Sequence, residues 1–520
     1  DTTIENSEFD GNTTGGDGGA MYIHGNLTVK NSSFKNNIAK ANNKGTNYNY
    51  KGNGEVEQVD YDYDEGYGGA ISHDGENLII ENSRFEGNIA GGEGGGAINA
   101  GSTLATISNS TFTSNSTTGS GGAIDCGYGG TLNITDTDFI NNSAKQGGAI
   151  NAENTNSMAP VPAVTITALN KDIEFSGNSA DKGGDIYISD GILNLNANTG
   201  RQMKFDGGIV GRNSIININD SSVNSLYENL SSVGKIVIDN FVTPEETSSL
   251  SVNLKAGTLA LTKDNYLNGT DLTLEEGSLL DLANNNVGEM NLNSLTSNNA
   301  NLKIDMNLAS SSQIFDTIKA NTATGVLNLQ NVNIISDFTD TTKNEYTASI
   351  TSDGMELKTP ENGINVLTND YVYTIAAKDK NLTVNRLADE NGEALKTDGF
   401  TVAVNQTDKV GGVDVSLSDD RIYSANSYIK ITATNSETGW TGSLGGKSLT
   451  VNGNGYTLDG EDNVGFAVNN GQTLTFNDTN IKGFVPIPER KAALTINDGG
   501  TVNINASNSD VSIGNNSNTD

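Results

Sequence analysis

The stretch NSTFTSNSTTGSGGAI (residues 109–124) decides the fold, because both of its halves recur along the first part of the chain. It holds a Phe-x-x-Asn phrase, Phe112 with Asn115, and then a Gly-Gly-Ala-Ile phrase that ends at Ile124. The same pair returns as DTDFINNSAKQGGAI (residues 136–150). Self-similarity at a fixed spacing is the signature of a repeat architecture. One structural unit of about 27 residues is therefore repeated.

Both phrases continue in either direction within residues 1–190. The Phe-x-x-Asn phrase stands at Phe9/Asn12, Phe34/Asn37, Phe85/Asn88, Phe112/Asn115, Phe139/Asn142 and Phe175/Asn178. The Gly-Gly phrase begins at Gly18, Gly68, Gly95, Gly121, Gly147 and, in variant form, Gly183. Before each phenylalanine, apolar residues alternate with polar ones, as at Leu78 and Ile80. Alternation with a period of two predicts a short strand with one buried face.

A unit of this length holds three short strands and three bends, which is one coil of a parallel β-helix. We therefore predict an all-β, elongated, right-handed parallel β-helix with about 20–27 residues per coil, since parallel crossovers are almost always right-handed. Equivalent residues of successive coils should stack at about 4.8 Å. The predicted structural ladders are Phe34, Phe85, Phe112 and Phe139 inside, with Asn37, Asn88, Asn115 and Asn142 at the bends.

The regularity of the repeat divides the chain into segments. Residues 1–190 form the regular array, with an inserted loop near residues 40–66 that lacks both phrases. Residues 191–340 have the looser strand pattern of an irregular β-solenoid stalk. Residues 341–440 are β-rich and fit either a continuing solenoid or a small β domain. Residues 441–520 begin a further array that we expect to be truncated, with both chain ends cut from a longer protein.

Composition and charge exclude several classes of protein. Hydrophobic residues make up only 34% of the chain, which suits a thin repeated core better than a large spherical one. The net charge of −34 repels phosphate backbones and anionic headgroups, so we expect neither nucleic-acid binding nor direct membrane insertion by this segment. Such a surface could bind hydrated divalent cations weakly. The single cysteine, Cys126, stands where neighbouring coils have alanine, so we interpret it as a core residue.

One segment combines aromatic and acidic residues and is a candidate binding loop. Tyrosine is favoured in recognition surfaces because it offers contact area and a hydroxyl group at low entropic cost. A solvated, variable loop without a partner is the alternative interpretation. The candidate residues are Tyr48, Tyr50, Asp60, Tyr61, Asp62, Tyr63, Asp64 and Tyr67.

We expect no enzyme, although β-helices also carry polysaccharide lyases and hydrolases. Such enzymes need paired carboxylates or a calcium site. The outward ladder that follows the Gly-Gly-Ala phrase offers one carboxylate, in the order Ser72, Asn99, Asp125 and Asn151. No catalytic triad, metal-ligand spacing or phosphate-binding loop is recognisable, so we predict no catalytic, cofactor or metal site.

The paired phrases resemble the repeats of the polymorphic outer membrane proteins, a family of bacterial autotransporter adhesins. The resemblance covers residues 1–190 and implies a right-handed β-helical passenger that attaches to a host or neighbouring-cell receptor or glycan. It further implies a location at the cell surface and outer membrane, or release from there. A purely structural surface spacer is the first alternative, and a β-helical polysaccharide lyase or hydrolase is the second.

Overall fold

A computed structural model of the chain shows an almost entirely β structure. The described helices are two 3-10 turns, Ser221–Val223 and Asp264–Leu267, and neither could span a membrane. The structure describes residues 1–41, 43–50, 56–63, 66–101, 104–127, 129–153, 161–223, 233–310, 312–336, 345–360, 363–367, 371–386, 413–416, 448–452, 457–464, 466–468, 473–478, 480–485, 494–496, 499–506 and 513–514.

The chain divides into two units. Residues 1–279 together with 290–296 form the first unit, and residues 280–289 together with 297–520 form the second. Two strands, Leu279–Asp281 and Glu289–Asn307, contain the points where the chain passes from one unit to the other. Each unit is described by itself below.

Face A of the first unit is built from the strands with alternating apolar residues. Their neighbours are parallel and in register, so that Ala105 pairs with Leu78 on one side and Leu132 on the other. These apolar side chains are buried, as the period of two requires. The strands of face A are Thr2–Glu5, Leu27–Lys30, Asn77–Glu81, Leu104–Ser108, Thr131–Thr135, Ala163–Ala168, Ile192–Ala197, Ser214–Ile218, Leu250–Leu254 and Asp271–Leu274.

Face B contains the phenylalanine ladder. The rings of Phe34 and Phe85 lie 4.8 Å apart between centroids and 3° from parallel, and both side chains are fully buried. Stacking continues from Phe9 to Phe205. The strands of face B are Glu8–Asp10, Ser33–Lys35, Arg84–Glu86, Thr111–Thr113, Asp138–Ile140, Ile173–Ser176, Gln202–Phe205, Lys235–Ile238 and Thr258–Leu261.

Face C begins at the last residue of the Gly-Gly-Ala-Ile phrase and closes each coil. A short ladder precedes it at Thr13–Thr14, Ile38–Ala39, Ile89–Ala90 and Ser116–Thr117. The strands of face C are Met21–Ile23, Ile71–His73, Ile98–Asn99, Ile124–Asp125, Ile150–Glu153, Ile186–Ser189, Ile209–Arg212 and Val242–Pro244. The chain thus runs through face A, face B, the short ladder and face C before the next coil stacks in parallel. The predicted parallel β-helix is confirmed.

The asparagine of the Phe-x-x-Asn phrase connects adjacent coils at a bend. The Oδ1 atom of Asn115 accepts hydrogen bonds from the backbone N–H of Asn88 at 3.0 Å and from its Nδ2 at 2.9 Å. In turn, its Nδ2 donates to the carbonyl oxygen of Phe85 and to Oδ1 of Asn142. Because these side chains are fully buried, each bond satisfies a polar group that water cannot reach.

The Gly-Gly phrase is required by both conformation and space. Gly121 has φ of +69°, a left-handed conformation that glycine adopts without strain. Gly122 has no such φ, but a Cβ atom there would overlap the carbonyl oxygen of Gly148 in the next coil. The second glycine therefore permits the close approach of two coils, whereas the first permits the turn.

The second unit combines parallel and antiparallel strands. Its antiparallel part joins Glu345–Ser349, Asn381–Arg386, Val372–Lys378 and Ile364–Leu367 in that spatial order. Parallel strands continue that sheet through Val413–Ser416, Ser448–Asn452, Thr473–Asn477 and Thr501–Asn505. The remaining strands of this unit are Thr317–Ser336, Met355–Lys358, Thr457–Val464, Phe466–Val468, Asn480–Val485, Leu494–Ile496 and Ile513–Gly514.

Replacing Asn115 by alanine should destabilise the coils on both sides of it. The change removes four buried side-chain hydrogen bonds and leaves backbone groups of Asn88 and Phe85 without partners, at a cost of roughly 1–3 kcal/mol for each orphaned group. We expect a lower urea midpoint for the full chain and faster amide hydrogen exchange within residues 85–142. The control Asn133→Ala changes a partly exposed asparagine of face A. Equal exchange rates in the two variants would contradict a stabilising role for the ladder.

Candidate functional site

The predicted binding loop folds as an antiparallel hairpin inserted into one coil, between its short-ladder strand Ile38–Ala39 and its face C strand Ile71–His73. Its strands are Asn43–Tyr50 and Val56–Tyr63, and the register pairs Tyr48 with Gln58 and Tyr50 with Val56. The returning strand continues the register by pairing Asp60 with Thr46, Tyr61 with Gly45, Asp62 with Lys44 and Tyr63 with Asn43. Asp64 and the side chains of the hairpin lie outside the described part of the chain.

Both ends of the hairpin are fixed to one corner of the β-helix. Oδ1 of Asp17 accepts hydrogen bonds from the backbone N–H groups of Gly66 and Tyr67, at 2.8 and 2.9 Å. Gly66 lies so close to the start of the insertion that a Cβ atom there would be 2.8 Å from the backbone nitrogen of Ala41. The chain thus leaves the coil and re-enters it at nearly the same point.

A groove of about 440 Å³ lies beside this corner. It crosses four successive coils, because its walls come from the loops that precede consecutive Gly-Gly phrases and its floor comes from face C. The backbone N–H of Gly92, in the groove wall, donates to the carbonyl oxygen of Gly66 at the hairpin base. The aromatic, charged and amide side chains in its lining include Tyr67, Glu93, Asp125, Lys145, Asn151 and Glu153.

The groove exists because one ladder of face C changes size along the helix. Asn99, Asp125 and Asn151 are paired in register, and the next coil places Tyr187 opposite Asn151. Tyr187 is 2% exposed and donates its hydroxyl hydrogen to Oε2 of Glu245 at 2.8 Å. Small polar side chains in one stretch of the ladder thus leave a recess, and a large aromatic residue follows at the next position.

Asp125 is a buried carboxyl group on the groove floor. It is 8% exposed, and its Oδ1 accepts a hydrogen bond of 2.7 Å from Nδ2 of Asn151. Burial raises the pKa of Asp125 to about 7, and the nearby charges of Glu153 and Glu93 act in the same direction. Gly94 makes room for this carboxyl group, since a Cβ atom there would overlap Oδ2 of Asp125. Asp125 therefore changes its charge near neutral pH.

Sequence reasoning missed the neighbours of Asp125. The outward ladder suggested one carboxylate, but the structure adds Glu153 from the end of the same face and Glu93 from the corner loop. The ladder contained only equivalent face C positions and omitted residues two before each Gly-Gly phrase. Aligning that position in successive coils gives Gly66, Glu93, Gly119 and Lys145, and would have revealed charged residues in this corner.

Other candidate groups are accounted for by packing. Cys126 is fully buried, and burial raises the pKa of its thiol to about 12. His73 is 1% exposed and its Nε2 lies 2.8 Å from the carbonyl oxygen of Gly25. Across the described residues, no three histidine, cysteine, aspartate or glutamate side chains form a group that could hold a metal ion.

The stacked coils and their repeated phrases define a β-solenoid repeat protein. The family model of the Chlamydia polymorphic membrane protein repeat matches residues 109–127 and 136–153, which confirms the resemblance to the polymorphic outer membrane proteins at these positions. That family is one of surface-exposed outer-membrane proteins, which supports a coarse assignment to the outer membrane surface. Comparison with curated proteins and with solved structures gave no match.

The buried acid predicts a specific pH dependence of stability. Because the pKa of Asp125 is about 7 in the folded chain, above the 3.8 of an exposed aspartate, folding is coupled to the uptake of a proton between these pH values. This contribution is fully favourable below about pH 4 and is lost as the pH rises through 7, amounting to on the order of 4 kcal/mol by linkage. Asp125→Asn should therefore become more stable relative to the unmodified chain between pH 4 and pH 8.

Urea unfolding at several pH values measures this effect. The control Asp10→Asn removes the same charge from an exposed aspartate. A pH-independent difference between Asp125→Asn and the unmodified chain would show that the carboxyl group titrates alike in both states.

Proposed function

We propose that this chain is the surface-exposed passenger region of a bacterial adhesin. The coils act as a non-catalytic scaffold, and the hairpin and the neighbouring groove contact a receptor or glycan of a host or neighbouring cell. Such a passenger is held at the cell surface or released from it. The observation that carries the proposal is that coil stacking continues without interruption past the inserted hairpin.

The registers on both sides of the insertion support this separation of scaffold and contact element. On face C, Ile71 pairs with Met21 of the coil before and Ile98 of the coil after. On the short ladder, Ile38 pairs with Ile89. Ala39 and Ala70 flank the insertion and are both fully buried. The core is complete without the hairpin, so the hairpin is free to serve recognition.

The negative charge of the chain favours recognition by a few specific side chains over non-specific adhesion to charged surfaces. The net charge of −34 keeps the chain soluble and repels anionic surfaces. A partner must therefore be held by specific side chains that overcome this repulsion. Tyrosines concentrated on one insertion offer such contacts, since they combine apolar area with a hydrogen-bonding group.

Removing the hairpin tests this function. A deletion of residues 42–65 joins Ala41 to Gly66, which are already adjacent, so the coils should remain stacked. We expect beads coated with the deletion variant to lose most of their attachment to epithelial or bacterial cells, while circular dichroism and the thermal midpoint stay close to those of the unmodified chain. A variant with Tyr48, Tyr50, Tyr61 and Tyr63 replaced by serine serves as the matched test of the aromatic groups.

The outcomes separate adhesin from spacer. Undiminished attachment of the deletion variant would exclude the hairpin as the adhesive element. Absence of attachment by the unmodified chain to every cell type would favour a structural spacer. Attachment lost in the deletion variant but kept in the serine variant would assign recognition to the hairpin backbone or its acids.

A glycoside hydrolase is the second candidate, and Asp125 is the observation that favours it. A general acid must hold its proton near the working pH, and a second carboxylate must lie nearby. The groove offers Asp125 with its pKa of about 7 and the carboxylates of Glu93 and Glu153.

We expect no release of reducing sugars from a panel of polysaccharides incubated with the chain, in line with a non-catalytic scaffold. Release that disappears in Asp125→Asn would instead establish hydrolysis in the groove. Release that persists in this variant would indicate a contaminating enzyme.

A further inference from the structure

We propose that the groove formed by Tyr67, Asp125 and Asn151 is a binding site for an uncharged di- or trisaccharide. This inference rests on the proposed adhesive function and names the ligand class of one of its surfaces. It places recognition in the coils themselves, in addition to the hairpin.

The first argument is an unused hydrogen-bond acceptor. The side chain of Asn151 is 3% exposed and its Nδ2 donates to Asp125, but its Oδ1 has no hydrogen-bond partner among the described residues. A buried amide oxygen without a donor is costly, at about 1–3 kcal/mol. Asn151 lines the groove, so a ligand hydroxyl bound beside this amide, with a small rotation of the side chain, would supply the missing donor.

The second argument is the pairing of Asn151 with Asp125. An amide and a carboxyl group side by side offer both donors and acceptors in a fixed arrangement. Each sugar hydroxyl is itself both donor and acceptor, so two neighbouring hydroxyls can bind the two groups at once. The hydrogen bond of 2.7 Å between the two side chains fixes their relative orientation before any ligand arrives.

The third argument is an aromatic ring among small residues in the lining. Tyr67 lines the groove, and a Cβ atom on Gly94 would be 3.1 Å from its Cδ1 atom. The rest of the wall includes Gly91, Gly92 and Gly119. An aromatic ring can pack against the C–H face of a pyranose, and the glycines leave the width that a sugar ring needs.

The dimensions match a short oligosaccharide. A volume of about 440 Å³ lies within the usual range for small-molecule sites, roughly 300–1,000 Å³. Successive coils are about 4.8 Å apart, so a groove across four coils is on the order of 15 Å long. That length accommodates two or three linked pyranose rings.

The charges select against acidic sugars. Glu93 and Glu153 line the groove together with Asp125, so their charges lie beside the groove floor. Oε1 of Glu153 lies 3.8 Å from Nη2 of Arg212. Lys145 adds one positive charge to the lining of the groove. The acids still outnumber the lysine in the lining, so a uronic or sialic acid would be repelled and an uncharged sugar would not.

Saturation-transfer difference NMR on the full chain tests the proposal. The probes are lactose, chitobiose and maltotriose as uncharged sugars, with digalacturonate as the acidic comparison. We expect a saturable signal from at least one uncharged probe and no signal from digalacturonate. The variants Asn151→Ala and Tyr67→Ala should bind the uncharged probe at least tenfold more weakly than the unmodified chain. Asn133→Ala, on face A of the same coil, is the matched control and should bind as the unmodified chain does. Circular dichroism of each variant verifies folding, and Tyr67→Phe should retain binding if the ring itself is the contact.

Three results would overturn the inference. They are the absence of a signal from all three uncharged probes, binding that is unchanged in Asn151→Ala, and digalacturonate binding as tight as that of the uncharged sugars. Cell attachment measured on the same variants separates this inference from the adhesin proposal. Attachment retained by Asn151→Ala together with lost sugar binding supports the groove as a sugar site while leaving adhesion to the hairpin. Failed sugar binding with hairpin-dependent attachment overturns only the groove.

Discussion

Parallel hydrogen bonding between successive coils is the constraint on which the rest of the structure depends. It fixes the spacing between coils, which is seen in the 4.8 Å between the ring centroids of Phe34 and Phe85. It also places residues of the same kind in contact across successive coils. No coil can bury its own apolar face, so each depends on its neighbours for stability. Any side chain that fits at one level must also fit against its equivalent above and below. This requirement explains why the phenylalanine position hardly varies from Phe9 to Phe205.

The same constraint allows buried asparagines to satisfy one another in a ladder. Asn115 is fully buried, yet its side-chain amide both accepts from one coil and donates to the next. A single asparagine at such a bend would leave groups unsatisfied at both ends. Asp125 has a different environment, with an amide on one side and further carboxylates nearby. Burial is the main reason why the pKa of Asp125 is raised, and these carboxylates act in the same direction.

The sequence alone predicted the features that repeat from coil to coil, but it did not predict the contacts between residues at different positions of the repeat. Periodicity located Phe112 and Asn115, their stacking direction and the two glycines at the turn, because each is dictated by contact with its own equivalent. The surroundings of Asp125 could not be obtained in this way, since Glu93 and Glu153 occupy different positions of the repeat and meet only through the bend between them. The hairpin pairing of Asn43–Tyr50 with Val56–Tyr63 is antiparallel and has no counterpart in other coils. The antiparallel strands of residues 345–386 likewise carry no phrase that repeats.

A site on such a scaffold can therefore be recognised as a local break in a ladder. At one level of face C the large side chain of Tyr187 fills its position and is buried, whereas Asp125 and Asn151 at equivalent positions line the groove. Changing one ladder residue alters the surface of a single coil, and the hydrogen bonds of the other faces keep that coil in register. The hairpin is a larger change of the same kind. Ala41 and Gly66, at its two ends, lie next to each other, so the coil continues past the insertion. The hairpin leaves the coil at the corner between the short ladder and face C, and Asp125 and Asn151 lie on the adjoining face C, beside groove walls built from that corner. The registers of face A continue unbroken past both features, from Leu27 to Leu78 beside the hairpin and from Leu132 to Val164 beside the groove, so the surface can change there without loss of the coil stack.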